Sequence, residues 1–328
     1  MLLIAPSKIN LTLKVLSKRA DGYHEISSYM RAISLFDEVE VGLACASHSS
    51  ANPIITRCAV KQPSISVTTN TLDIPKGAKN LAWQAADLAV KELAGEPLNG
   101  SRSCRIEIDI KKNIPIAAGL GGGSSDAAIV LLWAAKELAP KTKMSELIKI
   151  GAKIGADVPF CLYACAAANP ALGYTGVSCA LAEGIGEMLT PVHEAEKAYV
   201  ILVKPDIKIN TKDVYALYDE CSAQAMEAGG DSESHSPESP NPISDNDLEY
   251  PCAIHWPIVS ETIMDLKRLC EAEGAGKAKV QMTGSGPTVF AYFREDDFGS
   301  QARALIERVY EHAKARFTDS FVHLTETL

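Results

Sequence analysis

The sequence predicts an α+β protein of two domains. Short segments of strict two-residue alternation are interleaved with helical patterns, the 328-residue chain is long enough to bury two cores, and the strand–helix pattern begins afresh after Gly186. The expected division is residues 1–187 for the first domain and 188–328 for the second.

Along residues 8–15, Ile9, Leu11, Leu13 and Val15 alternate with Lys8, Asn10, Thr12 and Lys14. This predicts a half-buried strand with Lys8 and Asn10 on one face. Residues 38–43 and 64–68 predict further strands, joined by a polar loop over 47–63. Asn80 is a predicted cap for a helix running through Leu81, Ala85 and Leu88 and stopping near Gly95. Residues 105–110 alternate again, with Ile106, Ile108 and Ile110 facing a core. Residues 127–138 are apolar nearly all round, which predicts a helix buried on most sides. Ser145 is the predicted cap of the next helix, which carries Leu147, Ile150 and Ile154 inward and ends at Gly155. In the second domain, a strand at 199–203, helices at 211–226 and 258–270, and a strand pair turning through Gly284 to Gly286 are expected. Residues 229–246, rich in Gly, Ser, Pro and acidic side chains, predict a mobile surface loop.

Composition removes several functions. A net charge of −9 argues against a basic face for nucleic acid, while leaving room for a local positive pocket. No segment approaches the roughly 20 apolar residues that span a bilayer, and Pro6 and Lys8 interrupt the apolar start, so no membrane role and a cytoplasmic location are expected. Nine cysteines, an odd number without CxxC pairs, argue against both a disulfide framework and a structural zinc site. Cys161 and Cys165 come closest to ligand spacing, and no histidines follow them, so they are expected to be small buried hydrophobes.

The chemistry concentrates in the stretch from Pro115 to Ala128, which contains Gly119, Gly121, Gly122 and Gly123 and then Ser124 and Ser125. Glycines let backbone N–H groups converge on an anion where side chains would block approach. The following helix points its positive end at the same place, and both serines can donate to phosphate or ligate a metal. The Walker pattern is absent, and Ser124 stands where a dinucleotide fingerprint needs its third glycine. Asp157, placed after a helix C-terminus, needs a cation or donor opposite it, or else serves as a turn residue. Asp21, Gly22, Tyr23 and His24 form a turn in which Tyr23 packs and His24 is wet, or whose rings stack on a planar ligand group. Gly284, Ser285 and Gly286 form a tight turn that could bring N–H donors to a ligand.

Taken together, the stretches 5–11, 19–25, 119–128, 155–160, 246–249 and 284–289 resemble the superfamily of galactokinase, homoserine kinase, mevalonate kinase and phosphomevalonate kinase. Within it they are most similar to the 4-diphosphocytidyl-2-C-methyl-D-erythritol kinase family of the non-mevalonate isoprenoid pathway. The resemblance implies an N-terminal domain like that of a ribosomal protein, a ferredoxin-like C-terminal domain and a cleft between them. It implies ATP and Mg²⁺ as cofactors, the cytidyl-diphosphate methylerythritol as a small-molecule substrate, and a monomer or weak homodimer. Lys8 and Asp157 match the family's catalytic pair. Pro115, Ile116, Ala117, Ala118, Gly119, Leu120, Gly121, Gly122, Gly123, Ser124 and Ser125 match its ATP-phosphate loop, which Lys112 would approach. Tyr23 and His24 match the residues that hold cytosine, Asn10 would orient the acceptor, Thr211 would touch the substrate diphosphate, and Gly284, Ser285 and Gly286 would lie on the substrate. The chain departs from the family in a longer 163–182 stretch, an enlarged 47–63 region and the acidic 229–246 segment. A kinase for mevalonate or homoserine, and a nucleotide sensor without catalysis, are the competing readings; an NAD-dependent oxidoreductase is disfavoured by Ser124.

Overall fold

A computed structural model describes residues 1–45, 63–94, 104–192, 196–227, 244–299 and 302–328. Its elements are β1 (Leu2–Asn10), β2 (Lys14–Lys18), β3 (His24–Cys45), β4 (Ser64–Thr69), α1 (Leu81–Leu93), β5 (Cys104–Lys111), α2 (Gly122–Leu138), α3 (Met144–Ala152), α4 (Val158–Ala168), β6 (Cys179–Gly184), β7 (Met188–Pro191), β8 (Ala198–Lys204), α5 (Thr211–Glu227), α6 (Glu249–His255), α7 (Pro257–Ala272), β9 (Lys279–Met282), β10 (Val289–Arg294), α8 (Glu295–Phe298), α9 (Ala302–Arg316) and β11 (Phe321–Glu326). Residues 47–62 of the loop expected over 47–63, the helix stop at Gly95 and residues 229–243 of the loop expected over 229–246 lie outside the described residues.

The chain folds into two compact units. The first is built from Met1–Ser7, Leu35–Ile116 and Gly121–Ser178. Here the second half of β3 pairs antiparallel with β5, placing Val39 opposite Ile110 and Val41 opposite Ile108, and β4 adds to β5 in parallel. The inward row Ile106, Ile108 and Ile110 is buried, as the alternation requires. Asn80 caps α1 as expected, its Oδ1 accepting from the N–H groups of Ala82 at 2.8 Å and Trp83 at 3.3 Å. The small residues Ala82, Ala85, Ala86 and Ala89 form the buried stripe of α1, in one core with the wholly buried run from Ala127 to Ala135 in α2.

Three local expectations for this unit need correction. The helix predicted from Ala127 begins at Gly122, inside the glycine cluster. Ser145 lies within α3, whose N-cap is Lys143. Asp157 follows α3, which ends at Ala152, but it is also the N-cap of α4, and Pro159 falls in that helix's first turn, where a missing N–H costs nothing. The same proline, read as a helix start, marks the boundary in the sequence. Residues 163–182 then hold the end of α4, a short 3-10 turn at Pro170–Leu172 and the start of β6.

The second unit comprises Lys8–Ser34, Ala117–Leu120 and Cys179–Leu328. Its later part runs strand, helices, two strands, helices, strand, with an antiparallel sheet in the order β11-β8-β10-β9. That order and connection are those of the ferredoxin-like split βαβ fold, as expected. Ile201, Val203, Val280, Val289, Ala291 and Phe293 of the sheet share one core with Val259, Ile263 and Leu266 of α7 and Ile306 and Val309 of α9. Leu13 and Val15 join the same core. The first half of β3 pairs with β2 and β6, so the segment predicted as a short strand at 38–43 is the end of a 22-residue strand whose halves have different neighbours.

The strand predicted over 8–15 is two strands, broken between Asn10 and Lys14, and the first half of its polar face is buried. Lys8 and Asn10 are both buried, which is sustainable only because each is hydrogen-bonded. Ser244 and Asn246, placed by the sequence at the end of a mobile loop, are likewise buried. No helix among the described residues is long and apolar enough to cross a membrane.

Candidate active site

In the first unit the glycine turn becomes a helix mouth. Gly121 is the N-cap of α2 in the left-handed conformation (φ 71°), and no side chain caps the helix. The first helical bond runs from the Ser125 N–H to the Gly121 carbonyl at 2.9 Å, leaving the N–H groups of Gly122, Gly123 and Ser124 ahead of the ladder. Such a terminus carries about half a positive charge and favours an anion. A Cβ on Gly122 would lie 2.9 Å from Ile114 Cγ2 and 3.3 Å from Lys112 Nζ, so glycine is what admits the lysine to the mouth.

Lys112 is held from two sides. Its ammonium donates to Asp126 Oδ2 at 2.7 Å and, in a short contact, to Asp37 Oδ2, and its side chain is only 7% exposed. Burial works to lower the pKa of this ammonium, but the charges of Asp126 and Asp37 outweigh it and raise the value. Burial also pushes Asp126 up to about 7, against the pull of Lys112 and with the help of Asp37. Asp37 Oδ1 meanwhile accepts the N–H groups of Asn113 at 2.7 Å and Ile114 at 2.8 Å, fixing the stem that leads to Pro115 and Ile116.

The two serines separate. Ser124 is half-buried, whereas Ser125 is fully buried with its hydroxyl 3.4 Å from Cys165 Sγ, so the expectation that both hydroxyls serve a phosphate holds no place for Ser125 in this arrangement. Cys165 is the buried hydrophobe foreseen; burial pushes its thiol up to about 12. Asp157, half-buried, stands at the start of α4, and its carbonyl accepts the Cys161 N–H at 3.0 Å. Helix α4 packs on α2, with Cys161 Sγ 4.0 Å from the Gly121 carbonyl. The carboxylate therefore sits at the positive end of a helix, the reverse of the field inferred from the sequence.

In the second unit, Lys8 Nζ donates to Asn10 Oδ1 at 2.7 Å. The Asn10 amide donates to Ser28 Oγ at 2.7 Å, and Ser28 donates to the Thr12 carbonyl at 2.7 Å. The backbone N–H of Asn10 reaches Thr283 Oγ1 at 2.9 Å, so the first strand and the late turn are tied together. Ala118, Gly119 and Leu120 join them: the Lys8 N–H donates to the Leu120 carbonyl at 2.9 Å, and Gly119 (φ 73°) approaches the late turn so closely that a Cβ there would lie 2.6 Å from the Thr283 carbonyl oxygen. Ala117 adopts φ 51°, a strained value for a residue with a side chain. Thr211 and Ser285 share a hydrogen bond of 2.8 Å, and Gly284 and Gly286 take the positive φ their turn requires.

Tyr23 and His24 exchange the environments expected of them. Tyr23 is 60% exposed, while His24 is buried, its Nε2 2.7 Å from Asp219 Oδ1 and its ring stacked 4.8 Å from Tyr215. Asp219 also accepts from Lys18 at 2.6 Å, and these two donors lower its pKa despite the opposing effect of burial. The turn itself is held by the Tyr23 N–H on Asp21 Oδ1 at 3.1 Å.

Sequence reasoning missed Asp37, Asp126, Asp219 and Tyr215, and gave no role to Asn246 and Glu249. Asn246 donates to the carbonyls of Met282 at 2.9 Å and Gly284 at 2.8 Å, and Glu249 accepts the Met282 N–H at 2.7 Å. These residues brace the late turn. A carboxylate in the apolar strand context around Phe36, and another opening an apolar helix at position 126, were the available signals for Asp37 and Asp126.

A glycine-formed helix mouth beside a buried lysine, together with the ferredoxin-like unit, defines a small-molecule kinase of the GHMP class, and residues 80–165 match the GHMP kinases N terminal domain. The chain is 35% identical over 302 residues to the 4-diphosphocytidyl-2-C-methyl-D-erythritol kinase of Geobacter sulfurreducens, covering 92% of this chain and 93% of that one, and 37% identical over 306 residues to that of Geobacter sp. strain M21, covering 93% and 94%. It belongs to the 4-diphosphocytidyl-2-C-methyl-D-erythritol kinase family. A crystal structure of 4-(cytidine 5'-diphospho)-2C-methyl-D-erythritol kinase superposes with a TM-score of 0.63 at 27% identity, covering 99% of both chains. Homoserine kinase from Cytophaga hutchinsonii, at 18% identity and a TM-score of 0.60 over 100% of this chain and 94% of that one, shares the fold.

Proposed function

We propose that the protein transfers the γ-phosphoryl group of ATP to the 2-hydroxyl of 4-(cytidine 5'-diphospho)-2-C-methyl-D-erythritol, releasing ADP, as a step of non-mevalonate isoprenoid precursor synthesis. The observation that carries the nucleotide half is the N-terminus of α2, where three backbone N–H groups precede the helical ladder beside the Lys112 ammonium. Phosphoryl transfer is chiefly a matter of positioning and of stabilising spread negative charge, which such a mouth supplies. The substrate half is supported by relatives of that name aligned over nine-tenths of the chain, which favours this acceptor over mevalonate or homoserine.

In this reading Lys8 and Asp157 are the catalytic pair. Asp157 takes the proton of the acceptor hydroxyl, and Lys8, fixed in direction by Asn10, balances the charge that develops as the hydroxyl attacks. Gly119, Gly121, Gly122, Gly123 and Ser124 carry the phosphates; Ser125 serves through its backbone only. Tyr23, exposed, and His24, anchored by Asp219, hold the cytosine, while Thr211, Ser285 and the neighbouring glycines face the substrate diphosphate. Mg²⁺ is proposed to arrive on the nucleotide and to neutralise phosphate charge when bound. Among the described residues no group of three or more His, Cys, Asp and Glu could hold a metal, and Asp37 and Asp126 each give one oxygen to Lys112, so a Mg²⁺ here would take most of its ligands from phosphate and water. We further propose a cytoplasmic enzyme acting as a monomer or weak homodimer.

Purified protein incubated with Mg-ATP and, in parallel, the cytidyl-diphosphate methylerythritol, mevalonate and homoserine tests the assignment through coupled ADP release. Turnover with the first alone is expected. Turnover with another alcohol instead would move the substrate assignment, and no turnover with any would favour a nucleotide sensor.

A further inference from the structure

The Lys112 cluster is more heavily built than a lone phosphate-binding lysine needs. An ammonium has three N–H donors, and two are taken by Asp37 and Asp126. The two carboxylates come from different elements, Asp37 from β3 and Asp126 from α2, and both are buried, at 0% and 4% exposure. Asp126 Oδ1 is buried with no hydrogen-bond partner, so the cluster is not a closed structural network. A fully satisfied buried ion pair would be read as packing; here the Lys112 ammonium, with two of its donors used, stands beside the N–H groups that precede the α2 ladder.

We propose that Asp37 and Asp126 are positioning residues for nucleotide binding: together they clamp the Lys112 ammonium at the mouth of α2 with its third N–H left for a phosphate oxygen of the nucleotide. Lysine is a point charge on a flexible four-carbon stem, and without the clamp it would have to lose that freedom on binding. Asp37 acts twice, because its other oxygen holds the N–H groups of Asn113 and Ile114 and so fixes the stem of the glycine turn. The clamp also limits the charge presented: two carboxylates around one ammonium make the mouth selective for ligands that use the amides and the lysine together, rather than for any polyanion. The inference rests on reading the α2 mouth as the nucleotide site.

The test is a double-mutant cycle on nucleotide affinity, read by titration calorimetry with ATP and by the separate KM values for ATP and the alcohol. Asp126→Asn keeps an oxygen for Lys112 while removing the charge, and Asp37→Asn keeps an oxygen for the two backbone N–H groups. Each is expected to weaken ATP binding on the order of tenfold, as for loss of a charge-assisted hydrogen bond, with the KM for the alcohol unmoved. In a Lys112→Met background the same substitutions should cost less than about twofold, because the residue through which they act is gone. Unchanged ATP affinity in Asp126→Asn, equal losses with and without Lys112, or equal rises in both KM values would overturn the proposal. If Asp37→Asn unfolds, the Asp126→Asn arm of the cycle decides alone. A wild-type protein that does not bind ATP would instead sink the proposed function.

Discussion

Replacing Gly119 with alanine is expected to destabilise the second unit by about 2 kcal/mol and to weaken nucleotide binding with it. The backbone there sits at φ 73°, which costs a residue with a side chain about 1–2 kcal/mol. The new Cβ would stand 2.6 Å from the Thr283 carbonyl oxygen, against ordinary contact at 3.4 Å, so 3.4 − 2.6 = 0.8 Å of separation must be found. That oxygen cannot withdraw freely, because it accepts the Gly286 N–H at 2.9 Å, a bond worth about 1 kcal/mol. Loss of glycine's freedom in the unfolded chain returns about 0.4–1 kcal/mol, leaving a net cost near 2 kcal/mol, or about 4–8 °C in Tm for a unit of this size. Gly22→Ala is the internal control: its φ is 88° with nothing within 4 Å of the added carbon, so it isolates the backbone component. The assay is thermal and urea unfolding of both variants, with ATP titration alongside. If Gly119→Ala costs no more than Gly22→Ala, the close approach of the two turns is not real and the geometry argued for this half of the site falls.

Further outcomes follow from other contacts. Asp157→Asn and Lys8→Met are each expected to lower kcat about 100- to 10,000-fold with folding intact, and steady-state turnover at the wild-type rate would remove the pair. Asn246→Ala strands the Met282 and Gly284 carbonyls and should cost about 2–3 kcal/mol in urea unfolding; a loss below about 0.5 kcal/mol would mean the late turn needs no brace. Asp219→Ala should raise the KM for the cytidyl substrate several-fold and leave that for ATP alone, since among the described residues its carboxylate anchors His24 and Lys18. Because the folded-state pKa of Asp126 is raised to about 7, the folded protein holds a proton there that the unfolded chain gives up near pH 4. Its contribution to stability is therefore present at low pH and declines as pH rises from about 4 to 7, so Tm profiles should show Asp126→Asn losing less stability over that interval than wild type. An identical slope in the two proteins would contradict the burial that drives the shift.

What the sequence disclosed depended on whether the controlling physics was local. Alternation at Ile106, Ile108 and Ile110, the Asn80 cap and the glycine turn are set by neighbours in the chain, and each lies where it was expected. The orientation of Asp157 is also local, written in Pro159, which falls in the first turn of the helix that Asp157 caps. Lys8 and Asn10 misled because alternation alone assigns polar side chains to water, whereas their burial is compensated by Ser28 and Thr283, remote in sequence. The same holds for His24, whose burial depends on Asp219 and Tyr215, and for the clamp around Lys112, whose two carboxylates lie 75 and 14 positions away. Partners brought together by tertiary structure leave no periodic trace.

The threading of the backbone has a practical consequence for recombination. The polypeptide passes from one compact unit to the other after Ser7, Ser34, Ile116, Leu120 and Ser178, so no single break in the gene separates two self-sufficient pieces. A one-joint chimera with a homologue, wherever the joint falls, builds at least one core from both parents. Joined just after Ser178, it would ask Leu13 and Val15 of one parent to pack with Val203, Leu248 and Met282 of the other. Swaps that exchange the interleaved segments as a set keep each interior single-parent, and those are the hybrids expected to express as folded protein.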